Sequence, residues 1–169
     1  MRNYLAVVSV VFSVLGLSTI PVTAVAAPSI EGTYELVSRD LPDGSKQMPP
    51  NVSGMLTYTK DYRNFNVFWK AADGKSVSVS YVAKYRLTPK EYQETPIYWM
   101  SNNLGNAGVS YQAPADKGQA KPVTMKGQRI EFQMPDEPPV VVFEGNDLTA
   151  TAEDAGGKML FVDHWKKVR

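Results

Sequence analysis

The chain has 169 residues, no cysteine, a single histidine, 18 Lys+Arg against 17 Asp+Glu, and 43% hydrophobic residues. Without cysteine there is no disulfide scaffold, no zinc–thiolate centre and no thiol nucleophile. Near-neutrality argues against a nucleic-acid partner, which calls for a basic stripe or patch.

Met1-Arg2-Asn3-Tyr4 is a short basic lead, followed by an apolar run over 5–17 broken only by Ser9, Ser13 and Gly16. Pro21-Val22-Thr23-Ala24-Val25-Ala26-Ala27 then supplies small residues. Charge, apolar stretch and small-residue exit, in that order, are the pattern of a secretory signal peptide cut after Ala26 or Ala27. The apolar run is short for a spanning helix, which needs ~20 residues, so no membrane span is expected after cleavage. The remaining 142 residues, 28–169, carry 17 basic and 17 acidic side chains and suit one domain. A bacterial periplasm or the secreted fraction is the expected location.

From there on, apolar residues alternate between recurrent turn signals. Strands are predicted over 32–39, 53–59, 65–70, 76–87, 96–102, 122–125, 129–134, 140–144, 148–152 and 158–168. Asp43-Gly44 and Asp73-Gly74 mark hairpins, because Gly tolerates the positive φ that tight β-turns need. The clearest period-two run places Val77, Val79, Tyr81, Ala83, Tyr85 and Leu87 on one face. Thr88-Pro89-Lys90-Glu91 has the form of a helix capping box, but Pro96 would interrupt the second turn, so 88–92 reads as a tight connection. The one long irregular stretch is 103–121, a length that is often functional. In the last predicted strand Leu160, Val162 and His164 share one face, and Met159, Phe161, Asp163 and Trp165 the other.

Ten short strands must protect their edges, and closure into a barrel removes those edges altogether. Short sequential connections favour an up-and-down meander. The predicted fold class is therefore all-β, an antiparallel up-and-down β-barrel of about 8–10 strands, wide enough to be filled by side chains or to hold one small ligand.

The block Gly32-Thr33-Tyr34-Glu35-Leu36-Val37-Ser38, the Asp43-Gly44 turn and the strand Gly54-Met55-Leu56-Thr57-Tyr58-Thr59 stand in one order. They resemble the opening of the bacterial lipocalin-like domain family, in which a G-T-W-x-L-V-S strand and a D-G turn precede G-x-L-x-Y-T. Val82–Arg86 and the ending Asp163-His164-Trp165-Lys166-Lys167-Val168 are similar to that family's middle and final strands. Tyr34 stands where the family has Trp. The resemblance implies a lipocalin-like barrel with an internal cavity, and no particular ligand.

Candidate chemistry is sparse. One histidine near the C-terminus is weak ground for haem or a transition metal, and Gly108-Val109-Ser110-Tyr111-Gln112 lacks the second glycine of a nucleophile elbow. No cofactor and no catalytic residue are assigned. Aromatics are the enriched class, with 16 left after Tyr4 and Phe12 are set aside. Tyr and Trp offer an apolar body with a polar tip, which suits a pocket for an amphipathic molecule. The candidate ligand-binding residues are Tyr34, Trp69, Tyr81, Tyr85, Trp99 and Phe132, with Arg86 a candidate orienting group at the mouth and 103–121 a candidate lid. Simple core filling is the competing reading of the same aromatics. The expected protein is a monomer that binds a small hydrophobic ligand and is not an enzyme. The alternatives are a filled barrel that contacts an envelope partner, and a barrel-type isomerase or cyclase.

Overall fold

A computed structural model describes residues 28–102, 108–112 and 118–168. The predicted signal segment, residues 1–27, lies outside the described residues. Twelve strands follow in chain order: β1 (Gly32–Asp40), β2 (Lys46–Gln47), β3 (Val52–Tyr58), β4 (Tyr62–Lys70), β5 (Ser76–Leu87), β6 (Glu91–Ser101), β7 (Ser110–Gln112), β8 (Lys121–Lys126), β9 (Arg129–Gln133), β10 (Val140–Glu144), β11 (Asp147–Glu153) and β12 (Met159–Lys167). No helix occurs among the described residues. Ten strands form an antiparallel up-and-down barrel, which β12 closes by pairing with β1 from Tyr34↔Lys167 to Asp40↔Val162. The two short strands sit beside this circuit, β2 on β1 and β7 on β6.

Alternation decides which side chains go in. Val77, Tyr81 and Ala83 are buried, as are Ile130, Phe132 and Met134, because successive residues of a strand face opposite sides of the sheet. The ten predicted strands all appear, with two shifted starts. β4 begins at Tyr62 and β6 at Glu91. Pro96 does not stop β6, since it lies at a register shift where Ala83 pairs with Pro96 and Val82 with Tyr98; a bulge is where a strand accepts a residue without an N–H. The capping-box sequence builds a hairpin turn instead. Thr88 N donates to Glu91 O at 2.9 Å, and Thr88 Oγ1 accepts from Glu91 N at 3.0 Å.

The two ends of the barrel are turned differently. At one end, two-residue links join β8–β9 and β10–β11, with Gly127 and Gly145 at positive φ, and β3–β4 turns as tightly over Lys60-Asp61, where Thr59 N donates to Tyr62 O at 2.9 Å. At the other, three hairpins use a longer form. Leu41, Ala71 and Asp154 each donate N–H to the residue four positions on, with Gly44, Gly74 and Gly157 in the left-handed region, the three-residue loop with its αL residue. The same end carries the 134–139 loop and the connection from β6 to β8. Residues 103–107 and 113–117 of that connection, part of the candidate lid, lie outside the described residues.

Candidate functional site

The tightly turned end is packed shut. Ile30 precedes β1 and is buried in the core, and its carbonyl accepts from Tyr34 Oη at 3.1 Å. Six rings form one connected cluster: Tyr34 on Phe143, Phe143 on Tyr58 and Phe132, Tyr58 on Tyr85, Tyr85 on Tyr92, and Tyr92 on Phe132, with centroids 4.1 to 5.9 Å apart. Such edge-to-face and stacked pairs each add ~0.5–1.5 kcal/mol beyond the area they bury. Burial pushes the Tyr34 and Tyr85 phenols up to about 12, so they stay protonated, and Tyr85 Oη donates to Thr59 O at 2.6 Å.

Above this cluster lies a cavity of about 690 Å³. Its apolar wall is built by inward residues of consecutive strands: Leu56 on β3, Phe65, Val67 and Trp69 on β4, Val79 on β5, Val141 on β10, Ala150 on β11 and Phe161 on β12. Trp69, Trp99 and Trp165, the protein's three tryptophans, all line it. Trp165 fits because β3 has no side chain opposite it. A Cβ on Gly54 would stand 2.9 Å from the Trp165 ring and 2.9 Å from Asn66 O. The rim is formed by Leu41, Pro42 and Asp43 after β1, and by Lys70 at the end of β4 with Ala71 and Ala72 after it.

Two buried ionic groups are set into this wall. Arg39 is 5% exposed and Asp163 3%; Arg39 Nε donates to Asp163 Oδ1 at 2.6 Å and Nη2 to Oδ2 at 2.8 Å. The guanidinium carbon lies 4.8 Å from the Trp69 ring centre and 4.2 Å from that of Phe161. Burial raises the Asp163 carboxyl, opposed by the hydrogen bonds from Arg39. A bulge in β1 between Leu36 and Ser38 turns Arg39 inward.

Deeper in the barrel, Arg63 is 3% exposed and Glu94 1%. Arg63 Nη1 donates to Glu94 Oε1 at 3.3 Å and to Glu137 Oε1 at 2.9 Å, and Nη2 to Glu137 Oε2 at 3.4 Å. Glu94 also accepts from Tyr81 Oη at 2.8 Å and from Tyr92 Oη. The guanidinium carbon lies 5.0 Å from the Phe65 ring centre and 5.1 Å from that of Tyr81, while Nε is buried without a hydrogen-bond partner. Burial raises the Glu94 carboxyl, and Arg63 opposes it. Burial likewise disfavours the Arg63 cation, but Glu137 and then Glu94 outweigh it and hold the guanidinium charged. Tyr58, Tyr81 and Tyr92 are all raised, first by burial, and remain protonated.

The six predicted ligand residues divide evenly. Trp69, Tyr81 and Trp99 line the cavity. Tyr34, Tyr85 and Phe132 instead belong to the ring cluster that shuts the far end. Arg86 is not at the mouth: it is exposed on a strand end near the shut side and pairs with Glu91. The single histidine faces outward, where His164 Nε2 lies 2.8 Å from Asp40 Oδ2. The four buried charges went unassigned, although Asp163 shares its predicted face with Phe161 and Trp165, and Arg63 continues the alternation of Phe65, Val67 and Trp69. No group of three or more His, Asp or Glu side chains suited to a metal ion occurs among the described residues.

Fold and site together define a ten-stranded up-and-down β-barrel with one shut end and one end that holds a cavity, an architecture compatible with a lipocalin-like fold. No family model, curated protein or solved structure matches the chain.

Proposed function

We propose that this is an exported, monomeric binding protein of lipocalin-like type, holding one small apolar or amphipathic molecule inside its barrel. The observation that carries this reading is the cavity: about 690 Å³, within the ~300–1,000 Å³ of ligand pockets, with mainly apolar and aromatic walls and a few placed polar groups. Affinity would come from burying apolar ligand surface against Val67, Val79, Trp69 and Trp99, at about 25 cal/mol per Å² removed from water. The leader pattern and the missing cysteines support export, the G-T-Y-E-L-V-S and G-M-L-T-Y-T segments support the family, and closure of β1 on β12 supports a monomer by pairing the first and last strands with each other. Lipocalins close with eight strands, two fewer than here.

Native mass spectrometry of the protein recovered from its own host tests the reading. A reproducible bound mass is expected, lost in the cavity-filling variant Ala150→Phe. A clean unliganded mass, with tryptophan emission unmoved across a panel of lipids, isoprenoids and haem, overturns it. A second reading, a filled barrel that contacts a protein partner, has one observation of its own. Met55, Met100 and Val109 are exposed around an outer groove on the β3–β6 side, where apolar surface marks interaction sites.

A further inference from the structure

Resting on the binding reading above, we infer that the cavity selects an uncharged ligand, an apolar molecule whose only polar groups are hydroxyl or carbonyl oxygens, and rejects the corresponding carboxylates and amines. The charged groups set into the wall and floor are two guanidinium ions and three carboxylates, and each is already engaged. Both oxygens of Asp163 are taken by Arg39. Both oxygens of Glu137 are taken by Arg63. Glu94 receives Arg63 and two tyrosine hydroxyls. Each guanidinium also has two aromatic rings within about 5 Å of its carbon.

The balance of these five groups is −1 with Glu94 ionised and zero with Glu94 protonated. In neither state does the interior hold a cation without a paired carboxylate, although Arg63 Nε keeps one buried N–H without an acceptor. Nor does it hold a carboxylate free to meet an ammonium. An isolated ion taken out of water without a partner carries a desolvation cost far above that of a hydrogen-bonded hydroxyl. At the rim Lys70 and Asp43 are exposed and of opposite sign; exposed charges of this kind attract weakly. The wall also carries the protein's three tryptophans, whose indole N–H is a donor only and suits a neutral oxygen. Selection against charge thus follows from neutralisation within the wall, and apolar area supplies the affinity.

The test uses three probes of one chain length, dodecan-1-ol, dodecanoate and dodecylammonium, titrated separately near neutral pH and below micelle formation. Binding is read by tryptophan emission, since every tryptophan lines the cavity. The alcohol is expected to bind at least about tenfold more tightly than either ion, with no response in Ala150→Phe. Glu137→Gln removes one of the two carboxylates that hold Arg63 and should narrow the preference for dodecan-1-ol over dodecanoate at least about fivefold; Lys70→Gln should leave the order of the three probes intact. Dodecanoate or dodecylammonium binding as tightly as the alcohol, at a site that Ala150→Phe blocks, overturns the charge selection and leaves the binding reading standing. Silence from all three probes overturns both.

Discussion

The two ends of this barrel are made from the same kind of sequence and do opposite things. Both alternate apolar and polar residues and both are rich in aromatics, yet one end is a solid stack of six rings and the other encloses about 690 Å³. Two features separate them. Two-residue turns draw the strands together at the shut end, where Ile30 enters the core, whereas longer hairpins and the 134–139 loop keep the other end apart. Buried charge is also unequally placed: Arg39 and Asp163 line the cavity, and Arg63, which lines it too, holds the part-buried Glu137 and the buried Glu94 that meets Tyr92 at the edge of the ring cluster. An aromatic residue therefore fills or lines according to its depth along the strand.

Removing the floor's cation should break this contrast most severely. Arg63→Leu leaves Glu94 buried among phenols with no counter-charge, a loss of about 3–5 kcal/mol for a broken buried pair, read as a lower urea midpoint at unchanged slope. The double variant Arg63→Leu/Glu94→Gln should recover more than half of it, because the orphaned charge is the main penalty. A full loss that persists in the double variant would show that the arginine acts through packing.

Aromatic truncation at each end gives the next largest effect. Phe132→Ala opens a hole inside the ring cluster and is expected to cost about 3–5 kcal/mol. Trp99→Ala enlarges a void that already exists, forfeits fewer contacts, and should cost about 1–2 kcal/mol. Equal losses in equilibrium unfolding would refute the division into a packed end and a lining end. The ligand probes should reverse the order, with Trp99→Ala weakening dodecan-1-ol and Phe132→Ala leaving it nearly unchanged.

Much of the barrel is legible in the amino-acid order, and the division between its ends is only partly so. Val77 to Leu87 declares an inward face by simple alternation, and the ten barrel strands follow from such runs. The two- and three-residue strands β2 and β7 carry no periodic signal of their own. β6 begins five residues ahead of Pro96 because a bulge absorbs the proline, and a bulge depends on the partner strand. Tyr34 and Tyr81 are both tyrosines on buried faces; only strand register and turn length put the first against Ile30 and the second beside the void. Asp163 and Arg63 interrupt apolar faces at legible positions, and that is the signal that finds them. Arg39 has none, since the β1 bulge inverts its parity.

A smaller loss is expected where the two halves meet. Gly54→Ala sets a methyl group 2.9 Å from both the Trp165 ring and the Asn66 carbonyl oxygen, and overpacking of this sort costs about 1–3 kcal/mol. Replacing the ring should relieve part of it, so Gly54→Ala and Trp165→Leu are expected to be less than additive in a double-mutant cycle. Strict additivity would mean that the strain comes from the β4 backbone alone.

The smallest effect concerns pH, and it probes the shut end without mutation. Tyr34 and Tyr85 have folded-state values pushed up to about 12 by burial, above the unfolded phenol near 10. A raised acid favours the folded state while it is protonated. Their contribution is therefore complete below about pH 10 and is lost as pH rises from there through about 12. Spectrophotometric titration should show phenolate from these two rings appearing together with loss of the near-ultraviolet circular dichroism of the ring cluster. Tryptophan emission from the cavity half should shift in the same step, because one closed sheet carries both ends. Phenolate from Tyr34 and Tyr85 at pH 10 with the dichroism intact would mean that the shut end admits water, and the contrast between the two ends would then rest on the buried charges alone.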